Sequence, residues 1–132
     1  MFRFHKPIDI ITLFHKASSP ASVRIANALR QASAAAAETS ATDQATARPE
    51  FKLEITENAP TADQLQTILE YAGKSQIGSI VRGATNEREA LRKFQESVEN
   101  FQRPVVVDWN NGKARHSENE SEILKMLNAL PK

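Results

Sequence analysis

The chain has 132 residues, a formal net charge of +1 and no cysteine. That length suits a single domain over residues 1–132, which buries about two-thirds of its unfolded surface without a metal or disulfide staple. The near-neutral charge removes any global electrostatic case for nucleic acid or an anionic membrane, and no apolar run reaches the ~20 residues of a membrane span. Without cysteine there are no disulfides, no cysteine-ligated zinc or iron–sulfur cluster, and no mechanism that uses the chain's own thiolate.

The first element is the β-branched and aromatic run Ile8–His15, which reads as a buried strand. A short turn follows, and then Ser19-Pro20, a good N-cap before a proline suited to the first helical position. The helix is predicted to end near Ala37, with Ile25, Leu29, Ala32 and Ala36 on one face. Residues 38–49 carry no large apolar side chain and are expected to form a mobile surface loop. Phe51, Leu53 and Ile55 alternate with Lys52, Glu54 and Thr56, the period of a strand with one wet face. Thr61 and Gln64 make a capping box ahead of Leu65, Ile68 and Leu69, so a helix is expected to about Ala72.

Gly73, Gly78 and Gly83 punctuate a looser stretch around Ile77, Ile80 and Val81. A helix over Asn86–Val98 would turn Ala90, Leu91, Phe94 and Val98 inward. Arg103–Trp109 is the clearest strand, and Asn110-Asn111-Gly112 is a hairpin turn leading into a second strand, Lys113–His116. Ser117 and Glu120 form another capping box before a last helix with Ile123, Leu124, Leu127 and Leu130 inward. The order β-α-β-α-α-β-β-α is the α/β order of a thioredoxin-like fold, a four-stranded mixed sheet with helices on both faces.

Charge is uneven along the chain. Residues 1–37 carry +4 and the remainder −3, so the N-terminus has the basic, acid-poor composition of a mitochondrial targeting segment. The same residues also read as a first strand and helix that are simply basic. His5, His15 and His116 lack metal-ligand spacing, and no phosphate-binding glycine loop is present, so no metal site is expected.

The stretch Ile11–Ser22, ITLFHKASSPAS, resembles the strand and active-site loop of glutaredoxin-type arsenate reductases. Pro60–Leu65 resembles their P-T-x-x-x-L helix start, and Arg103-Pro104-Val105-Val106-Val107 their R-P-I-V-V strand. With Val107–Trp109 and Glu122–Leu127 added, the chain is most similar to the fungal "found in mitochondrial proteome" family of redox proteins. That resemblance implies a mitochondrial oxidoreductase that reduces small toxic molecules, with Pro104 as a cis-proline facing the loop of Ser19.

Ser19 stands where the reductases place a catalytic cysteine, and the resemblance sets the mitochondrial family's catalytic cysteine at Phe94 or Ser97, of which only Ser97 is chemically plausible. A hydroxyl at a helix N-terminus does not reach thiolate reactivity and forms no disulfide with glutathione. By the same resemblance Arg82 and Arg103 are candidate anion clamps, with Ser22 and Pro104 beside them and a weaker third cation among Lys113–His116. Together with a helix N-terminus these groups could hold an oxyanion or a glutathione carboxylate by charge-assisted bonds. His15 is expected to be a hydrogen-bonded loop histidine, and Trp109 a half-buried packing aromatic. No cofactor is called for, although glutathione is a possible ligand. The alternative function is a non-catalytic module that binds glutathione, an oxyanion or a protein partner.

Overall fold

The computed structural model describes residues 9–42 and 51–128. Within them run β1 (Asp9–Phe14), α1 (Pro20–Thr42), β2 (Phe51–Thr56), α2 (Ala62–Ala72), α3 (Ile77–Ile80), α4 (Glu87–Glu96), β3 (Val105–Asp108), β4 (Lys113–His116) and α5 (Glu120–Asn128). Short 3-10 turns at Lys74–Gln76 and Val98–Asn100 lead into α3 and follow α4.

The four strands form one mixed sheet in the order β2-β1-β3-β4. β1 is parallel to β2, with Phe14 opposite Thr56, and antiparallel to β3, with Phe14 opposite Val105. β3 and β4 form an antiparallel hairpin that pairs Val107 with Ala114 and Val105 with His116. Gly112 closes its turn at φ +66°, a conformation in which a side chain would be strained.

Alternation along the strands divides the core into two layers. Ile11, Leu13 and Val106 face Ile25 and Leu29 of α1 and Ile123 and Leu127 of α5. Phe14, Val105 and Val107 face Leu65 and Ile68 of α2, Ile80 of α3 and Phe94 of α4. Each of these apolar side chains contributes about 1.5–3 kcal/mol when fully buried, so the layers fix the register of the sheet. The central strand ends, where the loops of β1 and β3 meet, are therefore held rigidly.

The capping box at α2 forms as the sequence predicts. Thr61 Oγ1 accepts from the Gln64 amide at 3.1 Å, and Gln64 Oε1 accepts from the Thr61 amide at 2.9 Å. Two helix ends differ from expectation. α1 continues past Ala37 to Thr42, because Glu38, Thr39, Ser40 and Ala41 include no glycine or proline to break it. The remainder of the expected loop, residues 43–49, lies outside the described residues, as does Ile8. α4 stops at Glu96, and Val98 is 51% exposed in the 3-10 turn beyond it instead of inward.

At α5 the cap is Asn119 and not Ser117. Asn119 Oδ1 accepts from the Ser121 amide at 2.8 Å and the Glu122 amide at 3.3 Å. Ser117 Oγ instead accepts from the Asn119 amide and donates to Glu122 Oε1 at 2.9 Å. That hydroxyl, followed by the Arg115 guanidinium at 3.0 Å, holds the Glu122 carboxyl below its ordinary 4.5.

Candidate functional site

The parallel pairing of β1 with β2 sends both strands out at the same end of the sheet, and β3 enters from that end. Three loops converge there: His15–Ser19 after β1, Glu57 after β2, and Val98–Pro104 before β3. The His15 amide donates to Thr56 O at 2.8 Å, extending the pairing one residue beyond β1. Ser19 then caps α1 as its sequence predicts, Oγ accepting from the Ser22 amide at 3.2 Å and its carbonyl from the Val23 amide at 3.0 Å.

Ser22 is the internal fastener of the first loop. It is fully buried, and its Oγ accepts from the Lys16 amide at 3.0 Å and lies 2.6 Å from His15 Nδ1. A serine hydroxyl beside an imidazole has the spacing of a nucleophile and its base. With 0% exposure, however, Ser22 offers no approach to a substrate, and the pair serves to hold the loop.

Arg103 spans the other two loops. Its Nη1 donates to Glu57 O at 2.7 Å, and its Nη2 lies 3.8 Å from Glu99 Oε1. Glu57 also reaches back to the first loop, where its Oε1 accepts from the Ala17 amide at 3.1 Å. Only 17% of the Arg103 side chain is exposed, so its orientation is set by these neighbours. The Arg103–Pro104 peptide bond is cis, and Pro104 O accepts from His116 Nδ1 at 2.9 Å. Because a carbonyl only accepts, Nδ1 is the protonated nitrogen of His116.

Arg82 arrives by a separate route. An isolated antiparallel bridge, Val81 to Phe101, brings the end of α3 against the approach to β3. The Arg82 amide donates to Asn100 O and the Gln102 amide to Ile80 O. The guanidinium itself is exposed, with Nη2 3.5 Å from Gln102 Oε1. Between these loops lies a polar cleft of about 200 Å³, walled by Lys16, Ser19, Arg82 and Arg103 together with Glu99 and Glu118.

The cleft thus gathers Ser19, Arg82 and Arg103 of the residues singled out in the sequence. Ser22 lies beneath it and Pro104 is buried behind Arg103. Ser97 is exposed and does not line the cleft; its Oγ accepts from the Glu99 amide at 3.3 Å. Among Lys113–His116, Lys113 donates to Met126 O and Arg115 pairs with Glu122, so neither side chain enters the cleft. Trp109 packs on Tyr71 and donates from Nε1 to Thr12 Oγ1 at 2.9 Å, away from the cleft.

Sequence reasoning missed Lys16, Glu57, Glu99 and Glu118. Lys16 lies within the recognised loop, but a lysine there carries no signal of its own. Glu57 becomes visible only once the parallel register sets Thr56 beside Phe14. The three cations in the wall face two carboxylates, so the cleft has mixed charge with a small positive excess. It can receive carboxylates on Lys16, Arg82 and Arg103, and it can receive an ammonium on Glu99 or Glu118.

Among the described residues, no group of three or more His, Cys, Asp or Glu could hold a metal ion. Among them also, no helix is long and apolar enough to cross a membrane. A family model described as "Protein of unknown function (DUF1687)" matches residues 2–117. A Schizosaccharomyces pombe protein named "Putative redox protein fmp46, mitochondrial" is 43% identical over 63 residues, covering 48% of this chain and 52% of that relative. The chain spans about half the length of the curated relative it matches. No solved structure matches it.

Proposed function

The chain belongs to the family described as proteins of unknown function DUF1687, and from that premise we propose that it is a mitochondrial, thioredoxin-like member of a redox family that binds a small glutathionyl ligand. The mitochondrial and redox parts of this reading draw on the name of the fission-yeast relative. The thioredoxin-like part draws on the strand order β2-β1-β3-β4 with β3 alone antiparallel to the central β1.

The mixed-charge cleft carries the reading. A bare oxyanion would use Lys16, Arg82 and Arg103 but would face Glu99 and Glu118 with nothing to offer them. Glutathione brings carboxylates for the cations and a γ-glutamyl ammonium for an acid, so both signs of charge find partners. The chain's own contribution is binding and orientation, because a serine at position 19 supplies no thiolate.

Calorimetry with reduced glutathione tests this reading. Arg82 is exposed and spans no core contact, so Arg82→Gln should leave the fold intact and weaken binding on the order of tenfold, the loss of one charge-assisted contact. Equal affinity for phosphate and glutathione, or no heat from either, would refute it.

A second reading, favoured by the redox name of the relative, borrows the ligand's sulfur. The thiolate of bound glutathione would attack a disulfide, forming a glutathione mixed disulfide and releasing the other sulfur as a thiolate. An assay of glutathione:disulfide exchange separates the two readings, since a pure binding module leaves the rate unchanged.

A further inference from the structure

A second groove, sharing no wall with the cleft, opens over β1 and β2 on the α2 side of the sheet. It encloses about 240 Å³, and its wall includes Phe14, Glu54, Thr56, Asn58, Ala59 and Trp109. We propose that this groove is a binding site for a primary alkylammonium group, held by the Glu54 carboxylate against the indole of Trp109.

A chain of hydrogen bonds sets the two principal groups. Trp109 Nε1 donates to Thr12 Oγ1 at 2.9 Å, and the Thr12 hydroxyl donates to Glu54 Oε1 at 3.4 Å. Thr12 is itself buried, at 6% exposure, so it is a fixed post between the ring and the carboxylate. Tyr71 braces the indole from the side, with ring centroids 6.4 Å apart at 64°, and its hydroxyl donates to Trp109 O. The ring is held in place while remaining part of the groove wall.

Among the described residues the groove wall carries one formal charge, the Glu54 carboxylate, beside Asn58 and Thr56, whose Oγ1 already accepts from the Asn58 amide at 3.1 Å. A carboxylate with acceptor capacity left suits a group with several N–H donors and a positive charge. Trp109, Phe14 and Ala59 offer apolar surface to an alkyl chain. Lys52 reaches the same carboxylate, Nζ to Oε2 at 3.8 Å, and the two side chains are 67% and 48% exposed. Such a solvated pair is worth little, and an incoming ammonium can replace it.

Trp109 is the sole tryptophan of the chain, so its emission reads the groove directly. The probe is n-butylammonium chloride, compared with sodium chloride at matched ionic strength, n-butanol and tetramethylammonium chloride. The expected result is a saturable change with n-butylammonium alone. Glu54→Gln should raise its dissociation constant about two- to fivefold, the worth of a half-exposed ion pair, and Glu54→Lys should abolish the response. Circular dichroism and a thermal melt of each variant establish that the fold is retained, and chemical shifts of the Thr56 and Asn58 amides provide a second readout on the parent protein. The proposal is overturned by an absent or unsaturable response, by equal responses to n-butanol or tetramethylammonium, or by unaltered binding in Glu54→Gln.

Discussion

Replacing Ser22 by alanine probes the fastener beneath the cleft. Ser22 is fully buried, and its hydroxyl serves both the Lys16 amide at 3.0 Å and His15 Nδ1 at 2.6 Å. Truncation leaves the part-buried Lys16 amide without its acceptor, which costs about 1–3 kcal/mol. The half-exposed His15 ring can turn to water and adds little. Alanine is the better helix former, which returns a few tenths of a kcal/mol. We predict a net loss of about 1–2 kcal/mol in urea unfolding with an unchanged denaturant slope. Hydrogen exchange at the Lys16 amide should accelerate more than exchange at Leu29, which lies deep in α1. A variant within about 0.5 kcal/mol of the parent, with Lys16 exchange unaltered, would refute the assignment of Ser22 as the loop's anchor.

Other outcomes follow from the same contacts. Thr61→Ala removes one half of a complete capping box and should cost about 1 kcal/mol in equilibrium unfolding. Leu65→Ala opens a cavity in the layer under α2 and should cost about 2–5 kcal/mol, which calorimetric melting will report. The depressed Glu122 carboxyl adds stability that is present above its ordinary 4.5 and is lost as pH falls through the lower folded value. Ser117→Ala removes the largest cause of that depression, so the Glu122 carboxyl resonance in a carbon-13 titration should move its midpoint up toward 4.5.

The elements with local signals were legible in the sequence. The Thr61 box, the Ser19-Pro20 start and the Asn110-Asn111-Gly112 turn each depend on residues within three or four positions of one another, and each formed where expected. α1 ran long because nothing between Ala37 and Thr42 stops a helix, whereas polarity alone had suggested a loop. At α5, Ser117 and Asn119 are both good caps spaced for a following glutamate, and sequence spacing does not choose between them. Asn119 wins because Ser117 is drawn to Glu122 at the end of β4.

The site was legible in part. Ser19, Arg82 and Arg103 do share a cleft, which the family resemblance suggested and no spacing rule could show. The carboxylates that change its character were invisible. Glu99 stands only four residues before Arg103, but nothing in that spacing distinguishes a cleft wall from a solvated loop, and Glu118 comes to the same cleft from the far side of β4. Ser22, which the resemblance sets beside the anion clamps, has its hydroxyl turned inward to His15 and Lys16, an orientation no local pattern reveals.

A backbone-amide NMR titration with reduced glutathione, repeated with phosphate, tests the central claim most directly. The account predicts saturable shifts under glutathione at Lys16–Ser19, Arg82 and Gln102–Arg103, with weaker or absent shifts under phosphate, because only glutathione satisfies the carboxylates as well as the cations. Amides that stay in place at millimolar glutathione, or respond equally to phosphate, would contradict it.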